Sequence, residues 1–353
     1  MKAKHPRRKE AATPLTAVEM EAPRKGARGE VLRTKLGQLN HDVAPGLGGL
    51  RNEHLHALVM NDKRQQTPSA LNAVDNLCDY ANTVISIEIP RYFYVAWLAT
   101  RLVPANKTGP VNLPRGMEAS ARPINVGYVG SRLITRAYSD DDLQAAHNCT
   151  LGSVQNGCDI HGGISITAFG VMAMLDARPE FGTIQADIRN GFNKVKHESI
   201  LDTKETPGLL CTLAFSNALL EPMTYVGMGS GTNLVTSPFL SEEGSQQGST
   251  EGGWFFVLVV NAPFQQLNST LVAAGGEASA IMDNNYAMRP PSVIFPANEQ
   301  LQRDLAVVGL ELQPAKSCCY IDAAHQDNKW HRLRGAIPEG VLKDGVEVIL
   351  VDG

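Results

Sequence analysis

The sequence predicts an α+β fold, and three observations carry that expectation. Thr183–Ala186 is a short apolar run that reads as a strand, Trp254–Leu271 is a strongly apolar stretch of helical length, and Ala280–Met288 reads as a hairpin. Strand, helix, helix and hairpin in this order belong to a mixed α+β domain. Composition agrees, since 43% hydrophobic and 19% charged residues in a chain of 353 suit a globular protein with a sizeable core.

The elements follow in chain order. Residues 1–35 are polar, carry Pro6, Pro14 and Pro23, and read as a loose basic arm. Thr67 can cap a helix over Thr67–Ile85, with Pro68 at its first position. Leu71, Val74, Leu77, Cys78, Ala81, Val84 and Ile85 recur at spacings of three and four, which makes one core face. Ala99–Val103 reads as a strand, and Pro207–Leu220 as a helix. Residues 227–249 are rich in Gly, Ser and Thr and read as loop. Pro263 is expected to kink the apolar helix, and Asp283, Asn284 and Asn285 mark the hairpin turn. The final stretch reads as a short strand pair.

Charge is uneven along the chain. Residues 1–35 hold ten Lys/Arg and four Asp/Glu of the 32 and 36 in the whole, leaving 22 basic and 32 acidic residues for the body. A basic arm favours nucleic acid or nuclear import, or is simply a solvated tail. No segment reaches the roughly 18–20 apolar residues of a membrane span. The N-terminus has no apolar stretch behind its basic residues, so it is not a secretory signal. The six cysteines, at 78, 149, 158, 211, 318 and 319, form no CxxC pair, as expected of reduced thiols in an intracellular protein of nucleus or cytoplasm. The glycosylation sequons at Asn106, Asn148 and Asn268 are then chance matches.

Two strings carry most of the chemistry. In QADIRNGFNKVKHESIL (Gln185–Leu201) an apolar strand ends on Asp187, with Phe192 and Asn193 following. In IMDNNYAM (Ile281–Met288) Asp283 sits in a short polar turn between apolar arms. Each string also has a plain reading, a strand ending in a turn-forming Asp and an ordinary Asn/Asp hairpin. Two carboxylates converging from separate strands would make a site for a hard divalent cation, which takes oxygen ligands.

Seven strings stand in a particular order: APGLGGLRNEHLHAL (Ala44–Leu58), RLVPANK (Arg101–Lys107), ARPINVGYVGSRLITRAY (Ala121–Tyr138), QADIRNGFN, GSQQGSTEGGWFFVLVV (Gly244–Val260), IMDNNYAM and VGLELQPAKS (Val308–Ser317). Over roughly residues 40–320 this series resembles the reverse transcriptase domain of non-LTR retrotransposons, from fingers through palm. The resemblance implies an α+β polymerase palm, an antiparallel sheet with packed helices, joined to largely helical fingers with the thumb mostly absent. It implies a basic arm at 1–35, fingers and the start of the palm at 36–182, palm at 183–325 and a short C-terminal segment at 326–353. The implied reaction is template-directed DNA synthesis, with an RNA template, a DNA primer, deoxynucleoside triphosphates and Mg²⁺ or Mn²⁺, and no membrane.

The resemblance also implies roles for single residues. Asp187 and Asp283 look like the metal-binding aspartates, and Asn284 stands where the family has a second adjacent aspartate. Phe192 resembles the aromatic gate that crowds a ribose 2′-OH. Gln247 and Gly248 match the loop beneath the incoming nucleotide. Lys107 and Arg122 resemble finger residues that hold the triphosphate, and Lys316 the lysine near the leaving pyrophosphate. The chain departs from the family's pattern at Asn284, which offers an amide oxygen but no charge. It departs again at Ser249, Thr250 and Glu251, where Asp-Pro-Leu is usual. No endonuclease, RNase H pattern or Cys/His knuckle is seen. These departures keep a second reading open, a catalytically dead module of the same fold that binds nucleic acid or protein. GMGSG (Gly227–Gly231) is a weak hint of a phosphate loop. His54 and His56, two apart, read as surface residues rather than metal ligands.

Overall fold

The computed structural model describes residues 29–46, 48–57, 68–86, 89–106, 121–138, 151, 154–158, 160–205, 223–228, 239–322 and 347–351. Nine strands are described: β1 (Thr100–Asn106), β2 (Ala121–Val126), β3 (Gly182–Asp187), β4 (Met223–Met228), β5 (Phe239–Ser241), β6 (Glu277–Ile281), β7 (Asn284–Arg289), β8 (Cys318–Asp322) and β9 (Glu347–Val351). With the helices they make a mixed α+β architecture, as expected. The chain divides into two compact units, Met1–Ala146 with Ile200–Gly253, and His147–Ser199 with Trp254–Gly353. The chain leaves the second unit after Ser199 and returns to it at Trp254.

The first unit combines a helical core with a sheet in the order β2-β1-β4-β5. The Pro68–Ile85 helix begins at the expected proline; Thr67 lies outside the described residues. Val74, Ala81, Val84 and Ile85 are buried and Leu77 and Cys78 partly so, as the three-and-four spacing requires. They pack with Tyr94, Trp97, Leu133 and Ile134, and the Tyr94 hydroxyl donates to the Val84 carbonyl at 2.8 Å. Residues 29–35, read with the loose arm, are instead helical within Gly29–Gly37, and Leu32 and Leu36 are fully buried in this core. Two apolar residues four apart on one face are enough to dock a short amphipathic helix. The expected strand at 99–103 runs on as β1 to Asn106. β1 pairs with β2 along its length but with β4 only near Thr100 and Leu102, so Pro104 needs no second ladder partner.

Two expectations about this unit need correcting. Residues 227–249 are not all loop, because Gly227 and Met228 end β4 and Phe239–Ser241 form β5. Strand pairing overrides the loop-like composition there, and with it the phosphate-loop hint at Gly227. His56 is buried rather than on the surface, bonded to the Leu39 carbonyl at 2.9 Å and stacked on His41, while His54 is exposed. The expected helix at Pro207–Leu220 and residue Lys107 lie outside the described residues.

The second unit holds a sheet in the order β6-β7-β3-β8-β9. β3, the Gly252–Val272 helix, β6, β7, the Pro291–Val307 helix and β8 follow one another as β-α-β-β-α-β, a split β-α-β arrangement. β3 pairs antiparallel with both β7 and β8, and it is buried throughout except for a half-buried Gln185. A strand buried on both faces needs the continuous apolar run from which it was predicted. The Pro291–Val307 helix packs on β3 and β7, and the Gly163–Ala177 helix on β6 and β7. β9 pairs parallel with β8. Pro263 lies inside the Gly252–Val272 helix, which continues through it. The hairpin turn is tighter than expected: Met282 and Asp283 form it, and Asn284 and Asn285 already belong to β7.

Candidate functional site

Asp187 ends β3, and the register of the antiparallel pair sets it opposite Asn284. Ile188 donates its N–H to the Asp283 carbonyl at 3.0 Å. Asp187 and Asn284 therefore form the neighbouring non-hydrogen-bonded pair, whose side chains stand closest on a shared face. Asp283 occupies the turn immediately before. Backbone pairing thus places Asp187 at a strand end, Asp283 in the adjoining turn and Asn284 at the start of β7. All are hard oxygen donors, the type a divalent cation of the Mg²⁺ class accepts. Among the described residues no group of three or more His, Cys, Asp and Glu side chains could hold a metal. Asn284 itself offers an amide oxygen and no charge.

Lys316 joins this cluster from the other side of β3. Its Nζ lies 3.0 Å from Asp187 Oδ2, with the Asp187 side chain 13% exposed and the lysine 45%. A short 3₁₀ turn, Pro314–Lys316, delivers it just before β8. The same segment buttresses the backbone. Gln313 donates to the Asp187 carbonyl at 2.8 Å, Arg189 donates to the Glu311 carbonyl at 2.9 Å, and the Asp187 N–H reaches Ser317 Oγ at 3.3 Å. Beside it, Glu311 accepts from Lys194 and lies 3.6 Å from Arg189. The hydrogen bond from Lys194 holds the Glu311 carboxyl below the usual glutamate range.

Phe192 follows Asp187 in the turn that opens at Asn190. It stacks on the fully buried Phe256, ring centres 4.7 Å apart, and is itself half-buried. Gly191 lets the two rings meet, because a Cβ there would come within 2.7 Å of the Phe256 ring. One face of Phe192 is thus packing surface, whatever its outer edge does.

Gln247, Gly248 and Arg122 belong to the first unit. The Gln247 carbonyl accepts from the Asn125 N–H at 2.8 Å, which fastens this loop to β2. Gly248 has φ +100°, and a Cβ on it would lie 2.6 Å from the Asn125 carbonyl oxygen, so the position is closed to other residues. Arg122 is exposed on β2, paired with Ala105. Glu251 is buried.

Non-glycine residues with positive φ are Asp42, Asn190, Gln246 and Met282 among those described. Three of these four sit in the strings that carry Phe192, Gln247 and Asp283. For Gln and Met such backbone costs about 1–2 kcal/mol, and it persists only where surroundings impose it. Sequence reasoning passed over the residues that impose it at Met282. Gln155, Asn156 and Gly157 lie against the hairpin, and Gln155 is 127 positions away from Met282 in the chain. No local pattern announces an interaction of that range. No family model and no curated protein matches the chain.

Proposed function

We propose that this chain is a reverse transcriptase-like domain, which extends a DNA primer on an RNA template from deoxynucleoside triphosphates, with low activity caused by Asn284. The observation that carries the proposal is the pairing of Asp187 with Asn284 beside Asp283, on an antiparallel sheet with packed helices of the kind a palm requires.

Asp187 and Asp283 would hold Mg²⁺ or Mn²⁺, which would supply positive charge to offset the charge that builds up in the transfer. Lys316, now paired with Asp187, has a flexible stem and a half-exposed side chain. It is suited to neutralise the departing pyrophosphate when Asp187 is engaged elsewhere. Phe192, braced on Phe256, is a rigid wall against a 2′-hydroxyl. In the first unit, Gln247 and Gly248 support the incoming nucleotide, and Arg122 with Lys107 binds the triphosphate. Such catalysis is mostly positioning and electrostatics, so a missing charge falls on the rate.

The test is primer extension on a primed RNA template. We expect weak synthesis, stronger with Mn²⁺ than with Mg²⁺, lost in Asp187→Asn, and raised in Asn284→Asp by about a hundredfold, the worth of one such electrostatic contact of about 3 kcal/mol. Synthesis unaffected by Asp187→Asn would sink the proposal. A second reading is favoured by the same Asn284 and by the Lys316–Asp187 ion pair, which together leave less uncompensated negative charge for a cation. It is a nucleic-acid- or protein-binding module, and it predicts template binding without synthesis even in Asn284→Asp.

A further inference from the structure

The turn that carries Asp283 is held from outside the hairpin by a residue with no part in the motif. Gln155 is 1% exposed. Its Oε1 accepts the Met282 N–H at 2.8 Å and the Gly157 N–H at 2.9 Å, and its Nε2 donates to the Met282 carbonyl at 3.3 Å. A single amide thus grips both backbone polar groups of Met282, the residue whose φ is +56°. The side chain itself is immobilised from both flanks. The Ala280 N–H donates to the Val154 carbonyl at 2.7 Å, and the Asn156 N–H to the Ala280 carbonyl at 2.8 Å, so residues 154–156 run beside β6 as a short parallel bridge. Asn156 Nδ2 donates to Ser279 Oγ at 3.0 Å and to Thr167 Oγ1 at 3.1 Å, tying the bridge to the Gly163–Ala177 helix. Gly157 closes the fit, since a Cβ there would stand 2.5 Å from the Met282 nitrogen.

We infer that Gln155 is a positioning residue: it fixes Met282 in its left-handed conformation and so sets where the Asp283 carboxylate points. The physical reason is that methionine has no preference of its own for positive φ, unlike glycine or asparagine. A two-residue hairpin turn with Met at the first position needs an external hold. An amide meets the need better than a carboxylate, because one group must accept from an N–H and donate to a C=O at once. Loss of the grip lets the turn sample other conformers, and Asp283 with it. The assignment rests on the reading of the Asp187–Asp283 site given above.

The experiment uses the full chain and two readouts. Hydrogen exchange of the peptide spanning residues 277–289 reports the turn, and titration with Mn²⁺ alone, followed by the spin signal of the free ion, reports the carboxylates. Gln155→Ala should speed exchange at Met282 by roughly tenfold and weaken Mn²⁺ binding by a similar factor, the order expected for one or two buried hydrogen bonds. Gln155→Glu keeps the size of the side chain and serves if the alanine variant does not fold. Its carboxylate faces the Met282 carbonyl, so exchange is again fast at pH 8. As the pH is lowered and the new carboxyl takes up a proton, the donor returns and the gap to the parent protein narrows. Met282→Gly, which accepts positive φ freely, should shrink the effect of Gln155→Ala in a double-mutant cycle.

Unchanged exchange at Met282 in the folded variants overturns the inference. So does faster exchange with Mn²⁺ affinity unaltered, provided Asp187→Asn lowers that affinity. If no Mn²⁺ binding depends on Asp187 in the parent protein, the metal-site reading fails and the positioning role fails with it. That outcome is told apart from the first because exchange still responds to Gln155.

Discussion

Phe192 packs on Phe256, and under the proposed function it would also select between sugars. Its stack on Phe256 makes it rigid, and rigidity is what a steric gate against a 2′-hydroxyl requires. Phe192→Ala should therefore do two things. It should destabilise the second unit by about 2 kcal/mol, less than a fully buried Phe→Ala because the ring is half-exposed. It should also admit ribonucleotides in primer extension. Lost stability with unchanged discrimination would leave Phe192 as packing alone. Glu311 offers a second test at this scale. Its folded carboxyl titrates below the ordinary 4.5, chiefly through the Lys194 hydrogen bond. A depressed carboxylate contributes stability that is complete above the unfolded value and lost as pH falls through the folded one. The side chain is 42% exposed, so screening keeps the contribution under about 1 kcal/mol. In Glu311→Gln, stability near neutrality should fall by less than about 1 kcal/mol, and the gap to the parent protein should close as denaturation is followed to pH values below 4.5.

At the scale of elements, the Gln247–Gly248 loop is specified by its backbone. The carbonyl of Gln247 pairs with β2, and the Cβ position of Gly248 is occupied by the Asn125 carbonyl. Gly248→Ala combines a positive φ with a collision against main chain that cannot swing away. It should cost about 2–3 kcal/mol in thermal or denaturant unfolding. A neutral Gly248→Ala would mean that the loop does not lie on β2 as described. The hairpin of β6 and β7 behaves differently. Its register pairs Ala278 with Ala287 and Ala280 with Asn285, all four buried, but its two-residue turn is held by the Gln155 segment rather than by turn-forming residues. Asn284 and Asn285 look like turn residues, yet both are paired in β7.

For the whole molecule, the uneven charge is the property with the clearest consequence. Residues 1–28 hold Arg7, Arg8, Lys9, Arg24 and Lys25, whereas the body is net acidic. Non-specific binding to nucleic acid should therefore depend on the arm and fall steeply with salt, since each neutralised phosphate releases counterions. Deleting residues 1–28 spares the Gly29–Gly37 helix and its buried Leu32 and Leu36. It should lower affinity on RNA and DNA alike and reduce the log–log salt slope by about 0.7–0.9 for each phosphate that the arm neutralises. An unchanged slope would assign binding to the acidic body. No described helix is long and apolar enough to cross a membrane.

The sequence by itself determined the α+β class, the Pro68–Ile85 helix and its buried face, β3, the long apolar helix through Pro263 and the hairpin that bears Asp283. Each of these is written in local periodicity or in an apolar run, which depends only on neighbours in the chain. It also singled out Asp187 and Asp283, acidic residues at a strand end and a turn, whereas Lys316 was marked only by the family resemblance. Only the tertiary structure decided the rest. The end of β4 and all of β5 emerged from a loop-like composition because partner strands satisfy their backbone. His56 became a core residue because the Leu39 carbonyl and the His41 ring meet it. The left-handed Met282 and its hold by Gln155 depend on backbone groups brought together from 127 positions apart, a relation carried by packing and hydrogen bonding and by no local pattern of residues.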